Sequence, residues 1–347
     1  MKELYFGIIG CGSIAKKHVH CIEKLGHNIK GLCDKDLSKA RDLNVLKKAE
    51  IFSDHNDMLK TLDLDVVVVL TPSGLHYEIV KDIAKFGLSI IVEKPISLKL
   101  KHAIQMIDLC KENNSALSVV KQNRFNKPVV LARNLLNSGN LGELFLGTVR
   151  VRWTRDQEYY DQASWRGSWL NDGGVIANQA IHHIDMLQWF LGDVESVYSK
   201  NINALSNIEA EDTSVSVIKF KSGALGVIEA TTAIRPRDLE GSVSFLGSKG
   251  AAVINGFSMN EMGDLQLEDD SYLNGSNDML ANPKDFAYSH YMFYKSFVEN
   301  HNNKSPQLVD GREALKSLQI VHAIYKSNEL GREIFFDSDD INSRLGT

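Results

Sequence analysis

The fold class predicted by this 347-residue sequence is α/β followed by α+β: an N-terminal domain on a parallel sheet, then a domain on an open, largely antiparallel sheet. Three observations predict it. Residues 1 to 120 alternate short apolar runs with stretches of helical period. One run, Val66-Val67-Val68-Val69-Leu70, is apolar without alternation, as in a strand buried on both faces. After Val120 the runs lengthen and alternate with period two, as in a sheet covered on one face. The domains are therefore placed at residues 1–121 and 122–347.

The first apolar run, residues 4–9, ends in Gly10-x-Gly12-x-x-Ala15 and passes into a helix pattern over residues 14–25. Ile14, Val19, Ile22 and Leu25 form its inward stripe. Strand, glycine turn and helix start make a seat for a diphosphate. The missing side chains let backbone approach the phosphates, and the first helical N–H groups and the dipole face negative charge. A second strand, residues 28–33, ends at Asp34, which stands 22 residues past Gly12. An acid at that distance reaches the ribose diol of an adenosine, and it repels a 2′-phosphate, which favours NAD over NADP. An ordinary glycine turn and a turn acid before Lys35-Asp36 would use the same residues.

Further strands are predicted at residues 51–52, 66–70, 89–92 and 116–120, with helices at 77–86 and 98–113. The strand over 89–92 runs into Glu93-Lys94-Pro95. Open parallel sheets bind ligands beyond the carboxyl ends of their strands, so Lys94 is predicted to project into that crevice. A partly desolvated lysine there exchanges protons nearer neutrality, and a cis Pro95 would fix the turn. A surface ion pair before a helix is the other reading of the same three residues.

In the second domain Pro128 opens a helix over residues 129–138. Residues 145–153 alternate, with Thr148, Arg150 and Arg152 on one face. More strands are predicted at 213–220, 225–232, 242–246 and 251–254, turned by Ser222-Gly223 and Ser248-Lys249-Gly250. Residues 261–282 are polar and glycine-containing, and are expected to form a long excursion. Asp310 caps a last helix, with Glu313 three residues on and Leu315, Leu318, Val321 and Ile324 as its apolar stripe.

The stretch from Asp172-Gly173-Gly174 to Leu187 leads two glycines into a helix. At about 100° per residue, Asn178, His182 and Asp185 share one stripe. Ile176, Ala180, Ile184, Leu187 and Leu191 lie roughly opposite. The polar stripe is either a solvated face or the wall of a site; Trp189 on the same side argues against full solvation.

Composition narrows the classes of function. A formal net charge of −5 without a long basic block disfavours nucleic acid and anionic membranes as partners. No apolar run reaches the ~18 residues of a membrane span. The first strand pattern begins at Leu4, so no signal peptide is expected and the cytoplasm is the expected compartment. Cys11, Cys21, Cys33 and Cys110 form no CxxC pair and are expected to be free thiols in small apolar places. No metal-ligand cluster stands out: His182 and His183 are adjacent and diverge on a helix.

Four motifs occur in order: Gly10-x-Gly12-x-x-Ala15, Thr71-Pro72-Ser73-Gly74-Leu75-His76, Glu93-Lys94-Pro95 and Asn178-x-x-x-His182-x-x-Asp185. With them the chain resembles the glucose–fructose oxidoreductase/inositol dehydrogenase (Gfo/Idh/MocA) family over nearly its whole length. The resemblance implies a Rossmann domain, an open antiparallel-sheet domain, and hydride transfer between a sugar-like alcohol and NAD(P). It makes Lys94 and His182 the catalytic pair, His182 as acid/base at the reacting hydroxyl and Lys94 stabilising or relaying that proton. It sets NAD against Gly10, Gly12, Ser13, Ile14, Asp34, Thr71, Pro72, Ser73, His76, Glu93, Lys94, Trp165 and Arg166. Glu93 would take the nicotinamide ribose, and residues 71–76 would line the cofactor through backbone. The family usually has Asp at Asn178; an amide cannot take a proton, so Asn178 is left to orient His182 or a sugar hydroxyl, and either Lys94 or His182 can be the base.

A narrower resemblance rests on Lys121-Gln122-Asn123-Arg124-Phe125-Asn126, on Arg152-Trp153-Thr154-Arg155-Asp156-Gln157, on Tyr159-Tyr160-Asp161-Gln162, on Trp165-Arg166-Gly167-Ser168-Trp169 and on Asn178-Gln179. These segments are similar to bacterial UDP-sugar 3-dehydrogenases, which oxidise UDP-N-acetylglucosamine or its uronic acid for surface polysaccharides. That implies substrate contacts from Lys94, Asn123, Arg124, Tyr159, Arg166, Asn178 and His182. Arg124, Arg152, Arg155 and Arg166 offer donors for a diphosphate or carboxylate; Tyr159, Tyr160 and Trp165 offer stacking surfaces. A free-cyclitol dehydrogenase and a non-catalytic NAD sensor are the rival functions. The uncovered face of an open sheet predicts a homo-oligomer, dimer or tetramer.

Overall fold

The computed structural model describes residues 2–44, 48–269 and 277–347, which form two compact units. The first takes residues up to Gln122 together with Phe286–Leu315; the second takes Asn123–Asp285 and Lys316–Thr347.

The first unit alternates as predicted: β1 (Tyr5–Ile9), α1 (Ala15–Lys24), β2 (Asn28–Cys33), α2 (Leu37–Leu43), β3 (Glu50–Phe52), α3 (His55–Thr61), β4 (Val66–Val69), α4 (His76–Ala84), β5 (Ser89–Val92), α5 (Leu100–Glu112) and β6 (Leu117–Val119). The six strands form one parallel sheet in the order β3-β2-β1-β4-β5-β6. All four valines of β4 are fully buried, each contributing about 2 kcal/mol of apolar burial. Two short helices, α2 and α3, were not expected. Each starts on an aspartate whose side chain accepts a backbone N–H, Asp36 from Ser38 and Asp54 from Asn56.

The second unit opens with α6 (Lys127–Asn137), β7 (Leu144–Arg152) and α7 (Gln157–Asp161). A π-helical turn, Val175–Gln179, precedes α8 (Ile181–Leu191). Six strands follow: β8 (Val194–Ile202), β9 (Thr213–Phe220), β10 (Leu225–Thr231), β11 (Glu240–Gly247), β12 (Gly250–Asn255) and β13 (Glu261–Leu267). The chain returns to the first unit as α9 (Tyr288–Asn302), continues as α10 (Gly311–Leu330), and ends its last short strand, β14 (Ile334–Phe335), in the second unit's sheet. Asp310 caps α10 as expected, its carboxylate accepting the Glu313 N–H at 2.9 Å.

The eight-stranded sheet runs β13-β12-β11-β7-β10-β9-β8-β14. It is antiparallel except where β7 and β10 run parallel, so the sheet is mixed and, as expected, largely antiparallel. Part of the expected excursion is also strand: β13 pairs antiparallel with β12 and turns Met262, Leu265 and Leu267 toward Leu131, Leu135 and Leu141. Its outward residues are polar, as suits an edge. The rest of that excursion includes residues 270–276, which lie outside the described residues. No helix among the described residues is long and apolar enough to cross a membrane.

Candidate active site

The first unit's candidate residues stand at the carboxyl ends of β2, β1, β4 and β5, four consecutive strands of the sheet. Gly10 has φ +96°, and a Cβ there would meet the Leu70 carbonyl carbon at 2.7 Å, so only glycine fits. Gly12 and Ser13 are exposed, and among the described residues no side chain caps α1; the Ala15 and Lys17 N–H groups close on the Gly12 and Ile14 carbonyls at 3.1 and 3.0 Å. Ile14, half-buried, makes the N-cap. Asp34 reaches back to this turn: one carboxylate oxygen accepts the Cys11 N–H at 2.8 Å and the other accepts the Asp36 N–H at 2.9 Å. Each oxygen keeps a lone pair for a hydroxyl donor. Burial, with Asp34 nearby, pushes the Cys11 thiol up to about 12, so it is a buried small residue and no nucleophile.

After β4, Pro72 stands at the start of a tight turn over Ser73–Leu75. The Thr71 hydroxyl oxygen is buried with no hydrogen-bond partner among the described residues. The His76 side chain is turned inward, and the expectation for residues 71–76 was of backbone contacts. It is fully buried, with Nε2 on the Thr71 carbonyl at 3.0 Å and Nδ1 on the Pro95 carbonyl at 3.0 Å. It braces the loop after β4 against the loop after β5, leaving only backbone for a ligand. The Lys94–Pro95 peptide bond is cis, as expected.

Glu93 lies beneath this loop. Its Oε2 accepts the Lys94 N–H at 2.9 Å, and its Oε1 faces His18 Nε2 at 3.0 Å and His290 Nε2 at 3.9 Å. The ring atoms and the carboxylate lie within 4.8 Å of one another. Sequence inspection found no cluster of histidine with acid; the fold assembles one from α1, the end of β5 and α9. Burial alone would raise the Glu93 pKa, but the hydrogen bond from His18 and the field of His18, His290 and Lys94 bring it down to about 2.

In the second unit the expected polar stripe is broken. The π-helical turn displaces Asn178 from α-helical register with His182, which sits half-buried in the first turn of α8. The Asn178 amide donates to Asp172, whose other oxygen accepts the Gly167 N–H at 2.8 Å. Asp185 is fully buried and takes a two-pronged bond from Arg124, Nε at 2.8 Å and Nη2 at 2.9 Å. Arg124 is therefore turned to a structural partner where a substrate anion was expected. Asn123 beside it is 2% exposed, with Oδ1 unpartnered among the described residues. The partners come from stretches 61 residues apart, a pairing no local pattern reveals. Burial drives the His183 pKa down to about 3, leaving it neutral and edge-on to Trp153 at 5.6 Å.

The expected arginines and aromatics also sort themselves. Arg152 is held by Glu229 and Glu240, and Arg155 lies 3.6 Å from Asp238. Arg166 has no ion pair among the described residues; its guanidinium stacks over Tyr159 at 4.1 Å and Trp165 at 4.9 Å. Tyr159 accepts from Gln179 at 3.1 Å, whereas Tyr160 turns inward to Thr232. A cleft of about 520 Å³ opens here, lined by Arg166 with Gln157, Asp161, Ser164, Asn207 and Glu209.

Sequence reading missed what holds the π-helical turn. Glu211 Oε1 accepts the Ile176 N–H at 2.9 Å and the Tyr325 hydroxyl at 3.0 Å; that hydroxyl accepts the Gly174 N–H at 3.1 Å. A Cβ on Gly174 would collide with the Glu211 carbonyl. The glycine pair was the available signal, since it marks a close approach whose partner lies elsewhere in the chain.

An NAD-binding Rossmann-fold model of an oxidoreductase family matches residues 4–121, and the C-terminal alpha/beta domain model of the same family matches 133–335. The chain belongs to the Gfo/Idh/MocA oxidoreductase family. The WlbA dehydrogenase from Bordetella pertussis, solved with NADH and UDP-GlcNAcA, is 34% identical with a TM-score of 0.91, covering 97% of this chain and 99% of that one. The WlbA dehydrogenase from Chromobacterium violaceum, solved with the same pair, is 33% identical with a TM-score of 0.91, covering 98% of each chain. A myo-inositol 2-dehydrogenase from Thermotoga maritima is 24% identical over 94% of this chain and 97% of its own.

This Gfo/Idh/MocA chain is thus an NAD-binding oxidoreductase. Its residues fit the dinucleotide. Gly10 and Gly12 leave the turn open, Asp34 keeps lone pairs for hydroxyl donors, and among the described residues no side chain caps α1 and the Thr71 hydroxyl lacks a partner.

Proposed function

We propose that this oxidoreductase oxidises the 3-hydroxyl of a UDP-linked N-acetylhexosamine, or of its uronate, to the 3-keto sugar, in the making of surface polysaccharide sugars. The observation that carries the reading is Arg166. Of four arginines expected to meet an anion, Arg124 and Arg152 are bonded to carboxylates and Arg155 lies near one, while Arg166 lines a cleft between two aromatic rings. A guanidinium flanked by aromatics suits a diphosphate or carboxylate beside a base or sugar. The two WlbA dehydrogenases solved with NADH and UDP-GlcNAcA support the same substrate class.

Bound NAD supplies the hydride acceptor. The chain's own residues manage the proton and the pose. His182 takes the proton of the reacting hydroxyl and Lys94 stabilises the developing alkoxide, or the two exchange these roles. Asn178, an amide, orients a neighbour and carries no proton. Glu93 holds a ribose hydroxyl. Fixed orientation of the carbinol supplies much of the acceleration. Homo-oligomerisation belongs to the same reading: Tyr198 and Ile202 of β8 and Val215 and Val217 of β9 are exposed along the eight-stranded sheet.

The test measures NADH formation and the keto sugar, by mass, with UDP-N-acetylglucosamine, its uronate and myo-inositol, each with and without a 2-oxo acid. Turnover of a UDP-sugar supports the reading; turnover of myo-inositol alone removes it. Lys94→Ala and His182→Ala are each expected to lower kcat about 10²- to 10⁴-fold. Arg166→Ala is expected to raise the KM for the UDP-sugar about 10- to 100-fold.

A further inference from the structure

Behind Glu93 lies a second layer that the reaction as described does not use. His18 is fully buried as the fourth residue of α1. Its Nε2 faces Glu93 Oε1 at 3.0 Å and its Nδ1 faces the Tyr294 hydroxyl at 2.7 Å. An ionised carboxylate only accepts, so Nε2 must carry a proton and donate it to that bond. Tyr294, fully buried in α9 and held protonated by its burial, fixes the other edge of the ring. The His290 ring closes the side, edge-on to His18 at 5.4 Å. Glu93 has its remaining oxygen on the Lys94 backbone N–H at 2.9 Å.

We infer that His18 and Tyr294 are positioning residues for the cofactor-binding loop: they hold Glu93 ionised and fixed in rotamer, and through it fix the backbone that presents Lys94. The inference rests on the roles proposed above for Glu93 and Lys94. The arrangement follows the logic by which a buried partner fixes the tautomer and direction of a histidine, here with the carboxylate as the working end. A carboxylate taken out of water without such a donor keeps its proton to higher pH, and a protonated Glu93 is a poorer acceptor for both the Lys94 amide and a ribose hydroxyl. The groups facing this carboxylate are His18 of α1, His290 of α9, His76 of α4 and Lys94 beside it; Lys17 acts on His290, and Cys21 on Tyr294. Burial drives the His290 pKa down to about 3, so that ring is charged only near the pH at which Glu93 itself titrates and is neutral across the range measured below.

The experiment is the dissociation constant for NAD from pH 5 to pH 8, measured without any sugar on the full-length wild type, His18→Leu, His18→Gln and Tyr294→Phe. Wild type is expected to bind equally across the range. His18→Leu is expected to bind about 10- to 100-fold more weakly at pH 5 and to recover as pH rises, because Glu93 then titrates within the range. His18→Gln, which keeps an N–H donor, restores most of the affinity at pH 5. Tyr294→Phe, which keeps the ring and removes only the hydroxyl, shows the same pH trend at about threefold. A folded His18→Leu with wild-type affinity at every pH overturns the inference. So does a loss equal at all pH that His18→Gln does not rescue, since that is the signature of packing alone. If His18→Leu does not fold, Tyr294→Phe decides, and a flat wild-type profile from it overturns the inference. A wild type that turns over no UDP-sugar while these pH-dependent shifts appear removes the substrate reading and supports this one.

Discussion

Glu93, next to Lys94 in the first unit, and Glu211, hydrogen-bonded to the turn that precedes His182 in the second, are both carboxylates largely taken out of water, yet they sit on opposite sides of the usual carboxylate range. Burial pushes both upward. At Glu93 the His18 hydrogen bond and the field of His18, His290 and Lys94 reverse that push, from the ordinary 4.5 to about 2. At Glu211 the compensating groups are the Ile176 N–H and the Tyr325 hydroxyl, both uncharged, while Asp172 adds to the upward push, and the result is about 7. Glu211 Oε2 also has no hydrogen-bond partner among the described residues. The difference is in the donors: basic side chains hold a buried charge, whereas uncharged dipoles leave the acid half-neutral near physiological pH. One site fixes a charge behind Lys94; the other fixes the backbone turn ahead of His182.

The hardest way to break the comparison is at a third buried carboxylate. Asp185 is fully buried and ion-paired with Arg124, whose side chain is 5% exposed. Arg124→Ala removes this charged partner from a fully buried acid. The expected loss is about 3–5 kcal/mol of unfolding free energy, read by denaturant titration at pH 7. A loss under ~1 kcal/mol, the scale of an exposed pair, would show that charged partners are not what holds these acids.

Glu93→Gln and Glu211→Gln sharpen the comparison by sign. Glu93 has a depressed folded pKa, so its contribution is present above pH 4.5 and lost as pH falls toward 2. Glu211 has a raised one, so the fold is most favoured below pH 4.5 and loses stability as pH rises through 7. Each shift corresponds to about 3 kcal/mol. At pH 8 Glu93→Gln is expected to destabilise by about that much, whereas Glu211→Gln stabilises and flattens the slope between pH 4.5 and pH 7. Equal signs for the two variants would remove the distinction.

These three acids also mark what the sequence could and could not reveal. The dinucleotide seat was legible because it is local: β1, Gly10, Gly12 and Asp34 lie within one βαβ stretch, where spacing carries geometry. β4 and the alternation in β9 were legible for the same reason, since burial on two faces or one writes itself residue by residue. The partners of the acids were not. His18 and Glu93 are 75 residues apart, Arg124 and Asp185 are 61 apart, and Glu211 and Tyr325 are 114 apart. α9 escaped because Tyr288–Asn302 mixes buried Phe293, Tyr294 and Phe297 with buried His290, so no clean apolar stripe appears. The Asn178–His182–Asp185 stripe assumed unbroken α-helical spacing, which the π-helical turn violates. The parallel β7–β10 pair is likewise a matter of topology, which alternation within a strand does not encode.

The smallest expected effect is also the most local. Tyr325→Phe removes one hydroxyl that accepts the Gly174 N–H and donates to Glu211. The Gly174 amide is then buried without a partner, and Glu211 loses an uncharged donor. The expected destabilisation is about 1–2 kcal/mol, less than for Arg124→Ala because no charge is stranded by a charge. Its useful sign is in the pH course. Losing a donor to the ionised form raises the Glu211 pKa further, so the stability lost with rising pH moves to higher pH than the wild-type transition near 7. A transition that stays in place would mean that the backbone N–H groups of Ile176 and of Glu211 itself set this carboxyl, and that Tyr325 serves only the backbone of the turn leading to His182.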